Sequence, residues 1–260
     1  DADGEASITA AQVNNGSTDN CGIQSVSIDV DEFDCDDLGA NAVVLTILDI
    51  HGNSKTATAT ITVVDDIDPV ISMEASASTV ECDGLGNTVA LNAWLDNNGG
   101  AQATDACGPL TWTNNFTALS DDCGATGSAT VTFTVTDGSG NSASTTATFT
   151  IEDTVGPTMD VVASGLVMPC GSNYTPILNG WLNNNGFASA SDICGVVNWS
   201  NDYSGLTSAC GNAGEAVVTF TATDACGNAT STTATFVIED TTRPTITTEA
   251  ADLTVECDGS

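Results

Sequence analysis

The chain repeats itself at the length of a small domain. Pro69, Pro157 and Pro244 lie 88 and 87 residues apart, and Cys82, Cys170 and Cys257 keep the same spacing. Cys107 and Cys123 map onto Cys194 and Cys210, and more loosely onto Cys21 and Cys35. A period this long means like domains in tandem, each burying its own core. It divides the sequence into residues 1–68, 69–156, 157–243 and a closing stretch at 244–260. Within each period an alternating, threonine-rich segment is followed by a turn, another alternating segment, an acidic cluster and a proline. In residues 129–136, Val131, Phe133 and Val135 share one face and threonines the other, the two-residue period of a half-buried strand. Residues 147–151 repeat the scheme, so the two segments read as a hairpin across the turn Asp137 to Asn141. The equivalent turns run from Asp49 to Asn53 and from Asp224 to Asn228. Leu91, Trp94 and Leu95, and again Leu178, Trp181 and Leu182, have the spacing of a short helix with a buried tryptophan. The pattern predicts an all-β fold, with about seven strands in each sandwich and the modules joined in an extended rod.

The ends carry a further expectation. Residues 1–68 lack the opening strand with the first cysteine, whereas residues 245–260 supply such a strand with Cys257. The sequence begins without methionine or a signal-like segment, and it reads as a mature or excised piece of a longer tandem array. Chains that complete one another by donating a strand also fit.

Only Lys55 and Arg243 are basic against 35 acidic residues, giving a net charge of -33. Nucleic acid and anionic membrane would repel such a surface. No apolar run reaches the length of a membrane span. Ten cysteines without paired CxxC spacing point to an oxidising compartment rather than to zinc.

Residues 132–157 (TFTVTDGSGNSASTTATFTIEDTVGP) and 219–244 (TFTATDACGNATSTTATFVIEDTTRP) carry a recognisable signature. They resemble hyalin-type (HYR) repeats, and more closely those of giant secreted Bacteroidota surface proteins, gliding-motility adhesins among them. Residues 91–108 (LNAWLDNNGGAQATDACG) resemble the same subgroup. The resemblance implies an immunoglobulin-like fold, export to the cell surface and an adhesive or structural role. It implies no catalytic residues.

Three kinds of site are expected. At the junctions, Asp65, Asp66 and Asp68, then Glu152 and Asp153, then Glu239 and Asp240 surround the repeated prolines. Ca²⁺ takes six to eight oxygen ligands, so carboxylates flanking a short linker are candidate ligands for an ion that stiffens the joint. Solvation of the linker is the simpler reading of the same residues. The cysteines suggest bridges Cys21–Cys35, Cys107–Cys123 and Cys194–Cys210, each closing a loop of about 15 residues and stabilising by roughly 3 kcal/mol. Cys170 and Cys226 suggest one more, and Cys82 and Cys257 are left unassigned. Finally, Asp153-Thr154-Val155 and Asp240-Thr241-Thr242 resemble the Bacteroidota O-glycan acceptor, which would place sugars on Thr154 and Thr241.

Catalysis lacks an inventory. His51 is the single histidine and falls in a turn, so neither a serine nor a cysteine triad can be assembled. The expected function is a calcium-stiffened, disulfide-stapled stalk of an extracellular adhesin or filament, with further copies of the repeat and surface glycans as partners. A carbohydrate-binding or spacer module of a secreted hydrolase is the alternative. It would use Trp112, Phe116, Trp199 and Tyr203 as an aromatic platform, whereas their alternation places them in the core.

Overall fold

In the computed structural model, residues 4–208 and 213–256 are described. They group into two compact units, Asp1–Glu152 and Asp153–Ser260. The first unit holds two modules, the second one.

The first module contains β1 (Ala6–Ser7), the single-turn α1 (Ala10–Val13), β2 (Ile23–Ile28), β3 (Glu32–Phe33), β4 (Gly39–Asp49) and β5 (Ser54–Val63). Its main sheet has the order β2-β4-β5. The second module contains β6 (Val70–Met73), β7 (Ser78–Glu81), α2 (Thr88–Asp96), β8 (Gln102–Thr104), β9 (Thr111–Asn114), β10 (Gly127–Thr136) and β11 (Ser142–Glu152). Its sheet runs β7-β11-β10-β9, and β6 pairs with β8 in the second layer. The third module repeats this plan with β12 (Thr158–Val161), β13 (Leu166–Pro169), α3 (Thr175–Asn183), β14 (Ser189–Ser191), β15 (Asn198–Asn201), β16 (Thr207–Ser208), β17 (Gly214–Thr223) and β18 (Ala229–Glu239). Each module is thus an all-β, immunoglobulin-like sandwich. Among the described residues the strand counts are five, six and seven, against the expected seven or so in each.

The two-residue period sets the core. Val131, Phe133, Val135 and Phe149 are fully buried, as are Val218, Phe220, Ala222 and Phe236 in the third module. Thr130 and Thr148 face each other on the opposite side, with their hydroxyls 3.0 Å apart. Threonine suits that face because its branched side chain fits the pleat while its hydroxyl stays wet.

The short helices cap this core. Trp94 stands edge-on to Phe133 at 5.1 Å, and Trp181 meets Phe220 at the same distance. Each indole N–H donates to a backbone carbonyl, Ser76 O at 3.0 Å and Ser164 O at 2.9 Å, so neither the half-buried Trp94 nor the buried Trp181 carries an orphan donor. After each helix the chain turns through Gly99 (φ +65) or Gly186 (φ +64). A Cβ on Gly99 would lie 3.0 Å from the Phe133 ring, so glycine is required for conformation and for space.

Candidate cation site at the module junctions

The hairpin turns are built around one aspartate and one asparagine. Asp137 Oδ1 accepts from the backbone N–H groups of Ser139, Gly140 and Asn141 at 2.6–2.9 Å, and Oδ2 accepts from Asn141 Nδ2 at 2.8 Å. Asp224 and Asn228 reproduce the arrangement, as do Asp49 and Asn53. Burial pushes the Asp137 and Asp224 carboxyls up, but these donors outweigh it and hold both below the usual carboxylate value.

The asparagine also grips the incoming linker. Asn141 Nδ2 donates to the Asp65 carbonyl at 3.1 Å, and Asn228 Nδ2 to the Asp153 carbonyl at 2.9 Å. Asp68 Oδ1 accepts from Ser142 N–H. The turn at the end of the second and of the third sandwich is therefore a socket for the acidic linker that precedes it. Its motif was legible as a turn, but the docking role was not, because the partner lies some 75 residues away in sequence.

This docking brings three carboxylates together. Oxygens of Asp65, Asp105 and Asp137 lie within 4.8 Å of one another. Asp65 Oδ1 accepts from Ile67 N–H, whereas Asp65 Oδ2 is fully buried and has no hydrogen-bond partner. A buried carboxylate oxygen without a donor is costly unless a cation covers it. Hard oxygen donors of this kind suit Ca²⁺. Of the junction residues singled out by sequence, Asp65 alone enters this cluster. Asp66 and Asp68 are exposed, and Glu152 and Glu239 end their strands with exposed side chains. Asp105 and Asp137 were missed. Their signal was recurrence, since Asp192 and Asp224 stand at the same places in the next repeat.

At the second junction Asp153 and Asp192 approach Cys194. Cys194 is disulfide-bonded and offers no thiolate, so two carboxylates remain, too few for a comparable site. Asp240 is turned onto its own Thr242, whose N–H and hydroxyl donate at 2.9 and 2.8 Å.

The cysteine pairing corrects the sequence reading. Cys35 is bonded to Cys107 across the two modules of the first unit, with Cα atoms 5.1 Å apart. The bridges Cys21–Cys35 and Cys107–Cys123 therefore do not form. Asp34 caps the turn Cys35–Asp37, and that turn sets the Cys35 sulfur against the second module, 3.3 Å from the Ala106 carbonyl. Loop length alone gave no sign of this. Cys21 and Cys170 are free thiols, so Cys170–Cys226 does not form either. Cys82, Cys123, Cys194 and Cys226 are each disulfide-bonded. Cys210, and with it the expected Cys194–Cys210 bridge, lies outside the described residues, as does Cys257.

Thr154 and Thr241 are both exposed. Trp199 and Tyr203 pack against the third-module core rather than forming a platform, and Trp112 and Phe116 are half-buried. Among the described residues, no helix is long and apolar enough to cross a membrane.

No protein-family model matches the chain, and no curated protein matches it. Solved structures that it is similar to include Drosophila N-cadherin EC1-4, at 10% identity and TM-score 0.29, covering 78% of this chain and 58% of that one. Mouse clustered PcdhgC3 EC1-3 matches at 11% identity and TM-score 0.29, covering 82% and 83%. The chain thus spans less than two thirds of the first of these, and TM-scores this low carry nothing for function.

Proposed function

We propose that this chain is a structural segment of an extracellular adhesin or surface filament, a disulfide-stapled stalk whose first joint is locked by a calcium ion. The observation that carries the cation is the buried, unpartnered Asp65 Oδ2 beside Asp105 and Asp137. Those three residues would hold the ion, which would supply charge neutralisation where the chain has only two basic side chains to offer. The Cys35–Cys107 bridge crosses the same joint and supports an oxidising, extracellular setting. Repetition of one fold, with its chemistry at the joints, supports a stalk rather than an enzyme. His51, the single histidine, sits exposed in its turn.

The finer reading is a hyalin-type repeat segment of a Bacteroidota surface adhesin, as the motifs at 132–157 and 219–244 suggest. Surface glycans are its partners, and Thr154 and Thr241 its exposed O-glycan acceptors. X-ray scattering with and without a chelator tests the joint. Chelation is expected to broaden the distance distribution of the full chain, and an Asp65→Asn variant to behave as if chelated. Identical profiles in all three samples would sink the calcium-locked stalk.

A further inference from the structure

The three carboxylates of the cation cluster are held by different means. Asp137 takes three backbone N–H groups on Oδ1 and the Asn141 amide on Oδ2, so its own turn fixes it. Asp65 is fixed through its linker, with Oδ1 on the Ile67 N–H and its carbonyl on Asn141. Asp105 stands just past the end of β8, outside the sheet. Its carboxylate is anchored by the Cys107 N–H, which donates to Oδ1 at 2.8 Å. Cys107 is in turn the residue bonded to Cys35.

The bridge reaches Asp105 from the other module. Cys35 opens a capped turn in which Asp36 N–H donates to Asp34 Oδ1 at 2.8 Å and Asp34 N–H to Asp37 Oδ2 at 3.1 Å. Its sulfur lies 3.3 Å from the carbonyl of Ala106, the residue between Asp105 and Cys107. Gly4 closes over the bridge, since a Cβ there would lie 2.7 Å from Cys35 Sγ and 3.2 Å from Cys107 Sγ. Asp65 and Cys107 line one cavity together with Phe33 and Asp34. The loop that carries Asp105 is therefore clamped to the first module beside the linker that carries Asp65.

The repeats separate the turn from the bridge. Cys21 N–H donates to Asp19 Oδ1 at 2.7 Å, and Cys194 N–H to Asp192 Oδ1 at 2.8 Å. This Asp-x-Cys turn forms whether the cysteine is a free thiol, as at Cys21, or disulfide-bonded, as at Cys194. What the bridge adds at Asp105 is the placement of the whole turn, not its shape.

Resting on the reading of the Asp65 cluster as a calcium site, we infer that the Cys35–Cys107 bridge is the positioning device for Asp105, so that closing the bridge and binding the ion strengthen each other. Reduction by a dithiol breaks the S–S bond, which takes up two electrons and two protons to give two thiols while the dithiol leaves as its own disulfide. The Asp105 turn is then released from the first module, and the cluster falls from three carboxylates to two, a poor set for calcium. Linkage makes the effect reciprocal, because the factor by which the bridge raises calcium affinity is the factor by which calcium disfavours reduction. A joint built this way locks where an oxidant and calcium occur together.

Calorimetric calcium titration compares the oxidised chain with a Cys35→Ser/Cys107→Ser variant, which leaves the other cysteines unchanged. The variant is expected to bind calcium on the order of 10-fold more weakly. Asp105→Asn should weaken binding to the oxidised chain and change the bridgeless variant much less, a non-additivity that a bridge serving stability alone would not produce. The reciprocal measurement uses the unaltered chain in a dithiothreitol redox buffer, with the Cys35 and Cys107 peptides read by mass. Saturating calcium should lower the reduction potential of the bridge by about 30 mV, the two-electron equivalent of a tenfold change. Equal affinity with and without the bridge, additive effects of the two changes, or a potential indifferent to calcium overturns the coupling while calcium binding stands. An oxidised chain that binds no calcium removes the cation reading itself, and the coupling with it.

Discussion

Asn228 holds the docked linker of the third module through its side-chain amide. Its side-chain N–H₂ donates to the Asp153 carbonyl and to the Asp224 carboxylate, each at 2.9 Å. Alanine removes both bonds. A neutral bond contributes about 1 kcal/mol and one to a charged group about 1.5–3, so the loss should be about 3 kcal/mol. For a unit of roughly 100 residues that lowers the melting temperature by on the order of 10–20 °C. Calorimetry reads the melt, and hydrogen exchange at residues 154–156 reads the release of the linker. Asn53→Ala is the matched control, because the same turn is exposed in the first module and Asn53 bonds Asp49 there. Its effect should be much smaller. The pH dependence adds a sign. Burial raises the Asp224 carboxyl, but the Asn228 side chain and the turn N–H groups outweigh that and hold it below its ordinary value. A depressed folded value contributes stability that is complete above the unfolded carboxylate range, near pH 4, and is lost as pH falls through the folded value. The gap between wild type and Asn228→Ala should therefore be full at neutral pH and narrow below about pH 4. Equal melts for Asn228→Ala and Asn53→Ala, or a gap that does not change with pH, would refute the socket.

Two further outcomes follow from the packing and the disulfide. Cys35→Ser opens a link between residues 72 apart, which in the chain-entropy account is worth about 4 kcal/mol. Cys21→Ser, at a free and exposed thiol, should leave the melt unchanged, and a non-reducing digest should recover the Cys35 and Cys107 peptides joined. Gly99→Ala forces a side chain into a left-handed backbone and against the Phe133 ring, so calorimetry should show a loss of about 1–3 kcal/mol, with near-neutrality contradicting the packing.

Much of the fold was legible because its signals are local. Val131, Phe133 and Val135 announce their strand by alternation, and Leu91, Trp94 and Leu95 their helix by spacing. What sequence could not show were relations between distant segments. The parallel pairing of β7 with β11 joins residues about 70 apart, and periodicity is silent on which edge a short strand will take. Cys35 met Cys107 because a capped turn aims it at the neighbouring module, a direction that loop lengths do not encode. The cation cluster was one-third legible. Asp65 stood out in an acidic run, whereas Asp105 and Asp137 are single aspartates in separate loops that meet only after the linker docks.

Calorimetric titration of the metal-free chain with Ca²⁺ tests most directly whether Asp65, Asp105 and Asp137 bind a cation. It should show a saturable site that Asp65→Asn abolishes. At a free concentration about 100 times the dissociation constant, the bound ion should stabilise its module by about 2.7 kcal/mol. No heat of binding, or a titration that Asp65→Asn leaves unchanged, would contradict the claim.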